Sequence, residues 1–323
     1  MQLVVLAAIP MMFPQAGGDK AELVRKFRAG EKLSYEFNAD LRAARRGMEL
    51  DTFIPDNEQF SYAFTLETEK LKDQGVADVR MKRPKFIIKL DETFDSPAKT
   101  LSEKVDHNYL FTLSKSNQVL SLKDETPKKK DKEKTGGGGG NNFRVVYLRP
   151  YDRTMQDPIS SWFGQIYQLA AFVNSFDLGP ILPGKPVGVG ETWKQTVGYQ
   201  PMQVGGGADK GKPIMGRLDY LFTFKGSTTK DGKPAVWIQA TLKNESDAAP
   251  LVADWMGVKP NENPFKAIKL KINAEVNYYL DPENLQVIRI ESKSDGGASV
   301  EVINYEGPVE EHKLASTASL ARK

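Results

Sequence analysis

Apolar and polar residues alternate, run after run, along most of this chain. In FSYAFTLET, Phe60, Tyr62, Phe64 and Leu66 fall on one side, and in KLKINAEVNYYL so do Leu270, Ile272, Ala274, Val276 and Tyr278. A period of two sends every second side chain to one face of a strand, so one face meets the core and the other meets water. Further runs are SYEFNADL (34–41), VADVRM (76–81), KFIIKL (85–90), NYLFTLS (108–114), QVLSL (118–122), FRVVYL (143–148), TWKQTVGY (192–199), RLDYLFTFKG (217–226), AVWIQATL (235–242) and SVEVINY (299–305). LQVIRIESK (285–293) falls out of step around Ile288, which predicts a small bulge or burial on both faces. KDQG, KSNQ, KDGKP, DPEN and SDGG punctuate the runs as turn signals. Strands joined by short polar turns pair with their neighbours. The pattern therefore predicts a mainly β, antiparallel protein with curved or sandwich-like sheets.

One segment departs from that period. In ISSWFGQIYQLAAFVNSF, Ile159, Trp162, Phe163, Ile166, Leu169, Ala170, Val173 and Phe176 recur at helical spacing. Asp157 suits the N-cap and Pro158 the first helical position, where no backbone N–H is needed. With no charge from 159 to 176, this amphipathic helix (about 158–176) is expected to be buried. It is either a plain core helix or one wall of a cavity for a lipid or similar apolar ligand. In the second case Trp162, Phe163, Ile166, Tyr167, Ala170 and Val173 would line the cavity. PLVADWMGVKP (250–260) adds Leu251, Trp255 and Met256 in a short amphipathic turn. That turn reads as a packed surface loop or as a gate or partner lip.

The runs also repeat. At a shift of 158 residues, Tyr62/Tyr220, Phe64/Phe222, Thr65/Thr223, Lys72/Lys230, Asp73/Asp231 and Ala77/Ala235 match without a gap. NYLFTLSKSNQVLSL (108–122) and NYYLDPENLQVIRI (277–290) follow in the same order. Two related β-rich halves are expected, 17–123 and 191–323. Between them lie a disordered Lys/Gly-rich linker (124–142) and a strand, helix and proline-rich connector (143–190).

The first 16 residues, MQLVVLAAIPMMFPQA, are apolar and end in a small residue. They are expected to be a signal peptide cleaved near Ala16, placing the protein in the periplasm or outside the cell. No later stretch is apolar enough for a transmembrane span. The balance of 45 basic against 42 acidic residues argues against a nucleic-acid partner. The absence of cysteine excludes disulfides and thiolate metal sites.

Catalytic motifs fare poorly. Gly206, Gly211 and Lys212 have phosphate-loop spacing, but Pro213 supplies neither the hydroxyl nor the N–H that a Ser or Thr would give there, so no nucleotide is expected. His107 reads as an exposed turn residue and His312 as part of a polar C-terminal tail, neither at metal-ligand spacing. The acidic pairs Asp91/Glu92 (with Asp95), Asp281/Glu283 and Glu310/Glu311 fall at strand ends or turns, where acids are solvated. No catalytic, cofactor or metal residue is assigned.

LPGKPVGVGETWK (182–194) resembles the L-P-x-x-P-V-x-V-G-x-[ST]-W segment of an uncharacterised family of exported, β-rich bacterial proteins. The resemblance implies location and fold class and no activity. The expected function is thus a non-enzymatic cell-envelope or periplasmic binding or carrier protein for an apolar ligand. An envelope scaffold or protein-interaction module comes second, with an envelope protein as its partner, and a carboxylate-based hydrolase third.

Overall fold

A computed structural model describes residues 20–48, 50–55, 57–84, 87–90, 97–102, 106–127, 179–199, 216–255 and 257–323. Within them the alternating runs become β1 (Lys32–Gly47), β2 (Ile54–Pro55), β3 (Glu58–Lys72), β4 (Val76–Arg83), β5 (Ile87–Leu90), β6 (Lys99–Ser102), β7 (His107–Leu113) and β8 (Val119–Asp124). The second half supplies β9 (Thr192–Tyr199), β10 (Gly216–Lys230), β11 (Lys233–Asp247), β12 (Phe265–Leu280), β13 (Val287–Val302) and β14 (Pro308–Arg322). A short helix, α1 (Ala249–Trp255), precedes β12. The expected helix at 158–176, the N-terminal 16 residues and the loop at 206–213 lie outside the described residues.

All fourteen strands join one open antiparallel sheet, with the main order β8-β7-β4-β3-β1-β14-β13-β12-β11-β10-β9. The first half steps outward from β1 to β8, and the second steps inward from β9 to β14. Their meeting is a central seam, β1 against β14, from Tyr35↔Arg322 to Gly47↔Glu310. The halves are therefore two wings of one sheet. Each connection in the second wing links adjacent strands, which short turns can only achieve in antiparallel order.

Both wings share details of construction. Gly30 (φ 75) and Gly190 (φ 86) each precede a glutamate and adopt the left-handed region that glycine tolerates. Gly30 N–H donates to the Thr68 carbonyl and Thr68 N–H to the Glu31 carbonyl; Gly190, Phe224 and Glu191 repeat that exchange. A register shift follows at once in each wing, at Thr68/Lys70 and at Phe224/Gly226. Stacked aromatic pairs also correspond, Tyr35 with Phe64 at 5.3 Å and Trp193 with Phe222 at 5.5 Å.

Some segments differ from expectation. SDGG is no turn: Ser294 to Gly297 sit in mid-strand β13, paired on both sides. The "polar tail" is β14, at the centre of the sheet, with His312 buried. The first expected linker residues belong to the ladder: Asp124 ends β8, Glu125 N–H donates to the Asn108 carbonyl, and Glu125 pairs with Arg80 at 2.8 Å. The irregularity expected in LQVIRIESK is present as a shift between Tyr279 and Leu280 opposite it, with Val287 and Ile288 both buried.

The sheet curls tightly at one end. β7 and β13 stand five strand spacings apart in the sheet order, about 24 Å if it were flat. Yet the adjacent amides of Arg25 and Lys26 donate to Lys115 in the β7–β8 turn (2.8 Å) and to Asn284 in the β12–β13 turn (3.0 Å). Neighbouring amides can reach acceptors no more than about 10 Å apart. A Cβ on Gly179 would lie within 3.1 Å of both Asn117 of the first turn and Val287 beside the second. The two turns therefore meet. The apolar face is the buried one, so it lies inside the curl and forms one continuous core that takes in Leu23, Leu182 and Val187 from the connecting segments. Burying a large apolar side chain contributes roughly 1.5–3 kcal/mol, and this face does so on strand after strand.

Candidate functional site

Register converts the concave face into rows of side chains that run across the strands. Nearest the closed end, the row reads Phe37, Leu320, Ile290, Tyr278, Ile238 and Phe224, all buried. Side chains of that size fill the inside of the curl. The next row, Ala39, Ala318, Ser292, Val276, Ala240 and Phe222, is small over its central strands. The third row, Leu41, Ser316, Ser294, Ala274, Leu242 and Tyr220, is small there too, and Gly296 stands in the fourth.

The result is a trough of small residues along β13 and β14, flanked by larger apolar side chains. On the β10 flank Trp193, Phe222 and Tyr278 form a continuous aromatic wall, with Phe222 and Tyr278 centroids 6.3 Å apart. Their strands are two spacings apart, about 9.6 Å, so the rings lean together over Ala240, as side chains do on a concave face. The polar groups of these rows are few: Ser292, and the Ser294 and Ser316 hydroxyls, which hydrogen-bond to each other at 2.8 Å.

The closed end is pinned by buried polar groups. The Arg25 guanidinium donates to Asn117 Oδ1 at 2.6 Å and lies 4.7 Å over the Phe27 ring. Asn117 Nδ2 donates to the Pro180 carbonyl at 3.1 Å, and Trp193 Nε1 to the Ile181 carbonyl at 2.9 Å. Burial pushes the Arg25 pKa below its usual range, opposed by the nearby Tyr35 and Glu31. Burial likewise pushes the Tyr35 phenol up to about 12, against the pull of Arg25. The neutral Tyr35 hydroxyl donates to the Val287 carbonyl at 3.1 Å, spanning β14 to tie β1 to β13. This end is built for closure, with the polar groups named above used in structural bonds.

The residues singled out in the sequence fare differently. Trp162, Phe163, Ile166, Tyr167, Ala170, Val173 and Met256 lie outside the described residues, as does the Trp255 side chain. Leu251 is buried with Val252 and Ala253 in α1, within the hydrophobic core. Asp247 Oδ1 accepts the N–H groups of Ala249 and Ile268 at 3.0 and 2.9 Å, which fixes this helix to the start of β12.

The two acidic pairs among the described residues do not converge. Asp281 accepts from Arg322 at 3.2 Å, while Glu283 turns to Arg28 at 3.3 Å. Glu310 meets His312 at 2.8 Å; Glu311, on the other face of the strand, accepts from Arg46. Asp91, Glu92 and Asp95 lie outside the described residues. His107 is not an exposed turn residue: it opens β7, half-buried, with Nδ1 2.7 Å from the Tyr109 hydroxyl. Among the described residues no cluster of His, Asp and Glu could hold a metal ion, and no helix is long and apolar enough to cross a membrane.

The small-residue trough was not foreseen. Its signal was present in LASTASL (314–320) and SKSDGGAS (292–299), where Ala, Ser and Gly occupy alternate positions that larger residues fill elsewhere.

No family model matches the chain, and no curated protein matches it. Among solved structures it is similar to lipovitellin, in a structure described as lipid–protein interactions in lipovitellin, at 10% identity and a TM-score of 0.41. That similarity covers 92% of this chain and 25% of the other, so the chain spans about a quarter of lipovitellin's length.

Proposed function

We propose that this protein is an exported, non-enzymatic carrier that holds a lipid or other apolar ligand in the trough of its curled sheet. The observation that carries the reading is the gradation of side-chain size on the concave face. Large residues seal the closed end, small ones leave room over β13 and β14, and an aromatic wall bounds one side. Ligand sites are concave and mostly apolar with few polar groups, and Ser292, Ser294 and Ser316 are few among apolar neighbours. In this reading Trp162, Phe163, Ile166, Tyr167, Ala170 and Val173 remain proposed as lining residues.

Native mass spectrometry of the protein, purified without detergent, tests the proposal. The expected spectrum shows a fraction of the chain carrying an added lipid-sized mass that organic extraction removes. A single ligand-free species, unchanged after incubation with mixed lipids, would defeat it. One observation favours the scaffold alternative: among the described residues β8 and β9 each pair on one side only, and such edges can recruit further strands. Concentration-dependent assembly in the same spectra would point that way.

A further inference from the structure

Outside the closed end, a cleft of about 880 Å3 opens between residues 24–27, the β3–β4 turn and the β7–β8 turn. Lys26, Lys72 and Lys115 stand around it, with Phe27, Leu71 and Leu120 among its apolar side chains, and among the described residues no carboxylate lines it. Lys72 is paired with Asp78 at 2.5 Å. Lys26 and Lys115 are exposed and have no ion-pair partner among the described residues. Leu71 is 46% exposed and Leu120 51%, so both apolar side chains are open to a facing surface. The turns beside these strand ends are tight, with Gln74 at φ 60 and Asn117 at φ 63, so this rim is preset.

We propose that this end of the sheet docks on the surface of an anionic phospholipid bilayer. Leu71 and Leu120 would enter the interfacial layer, and Lys26 and Lys115 would meet the headgroup phosphates. The apolar contribution is two separated side chains near the ends of β3 and β8. That is too little for the packed core of a stable protein interface of about 800 Å2 per partner, yet enough to anchor in a fluid interface when cations add to it. Docking requires no ligand in the trough. A ligand-free mass spectrum would therefore leave this proposal standing, and failed docking would leave the carrier reading standing.

The test is flotation of the full chain with vesicles of pure phosphatidylcholine and of phosphatidylcholine with 30% phosphatidylglycerol (about 0.3 mole fraction, enough to set a negative surface potential). Binding is expected to the anionic vesicles alone and to fade at high salt. Removing both Lys26 and Lys115 as alanines should weaken partition about 25-fold, roughly fivefold for each. Leu71→Ser with Leu120→Ser should weaken it about tenfold or more. All four side chains are exposed or on turns, and circular dichroism would verify that the variants fold. Absence of binding to anionic vesicles, equal binding to both compositions, or no effect of either double variant would overturn the proposal. So would salt-sensitive binding to polyglutamate without vesicle binding, which would assign the cleft to an acidic protein surface.

Discussion

Gly296→Ala is expected to lower the stability of the folded chain by about 3 kcal/mol, with Gly297→Ala close behind. Both glycines lie in mid-strand, where alanine would ordinarily be the better residue by roughly 0.5–1 kcal/mol. Here the neighbouring backbones are too close. A Cβ on Gly296 would lie well inside contact distance of the Lys271 carbonyl oxygen and 3.1 Å from Ile272 Cα. One on Gly297 would lie 2.6 Å from the His312 carbonyl oxygen. The obstacles are β12 on one side and β14 on the other, so neither clash can be relieved by rotating a side chain. Glycine in a strand interior often marks such a bend or close approach. Gly47, with open space around its Cβ position, is the control, and Gly47→Ala should be neutral or slightly stabilising. Urea midpoints at unchanged slope would measure all three. Equal midpoints for Gly296→Ala and Gly47→Ala would show that the strands do not crowd at this point.

Arg25→Ala should cost about 3 kcal/mol for a different reason. The substitution removes the cation that satisfies Asn117 Oδ1 in a buried site, and with it the cover over Phe27. Arg25→Met restores most of the volume but not the donor, so it should cost about 1–2 kcal/mol, the penalty of one orphaned buried acceptor. The difference between the two variants separates packing from hydrogen bonding. Arg42, exposed on β1, supplies the comparison: Arg42→Ala should change stability by no more than about 0.5 kcal/mol. If Arg25→Ala were as mild as Arg42→Ala, the pinning of the closed end by residues 20–31 would be wrong.

The strands were legible because most carry large apolar residues at every second position, and burial follows that alternation along β12 and β4. β14 was not, since its inward positions are His312, Leu314, Ser316, Ala318 and Leu320, a face too small and polar to read as core. The same smallness makes the trough. Bulky apolar side chains such as Trp162 and its neighbours signal a ligand lining in sequence, whereas Ala, Ser and Gly positions carry no such signal. SDGG misled because two adjacent glycines signal a turn far more often than a crowded strand.

The curl had no local signal at all. It depends on adjacent amides at 25 and 26 reaching turns at 115 and 284, and no periodicity encodes a meeting across five strands. Matched residues at a fixed offset were legible in the sequence. The shared Gly–Glu turns, register shifts and stacked aromatic pairs add to them, and we propose that the two wings arose by duplication.

Everything proposed for the trough depends on the curl, and the absence of native cysteine allows a direct measurement of it. Spin labels on Lys115→Cys and Glu283→Cys would report the separation of the β7–β8 and β12–β13 turns. Both side chains are exposed, so labelling should leave the fold intact. The curled sheet predicts a distribution centred below about 20 Å, against about 24 Å between backbones, before any label length is added, in a flat sheet. A single population near or above 30 Å, allowing about 3 Å for each label, would contradict the concave face and the carrier built on it.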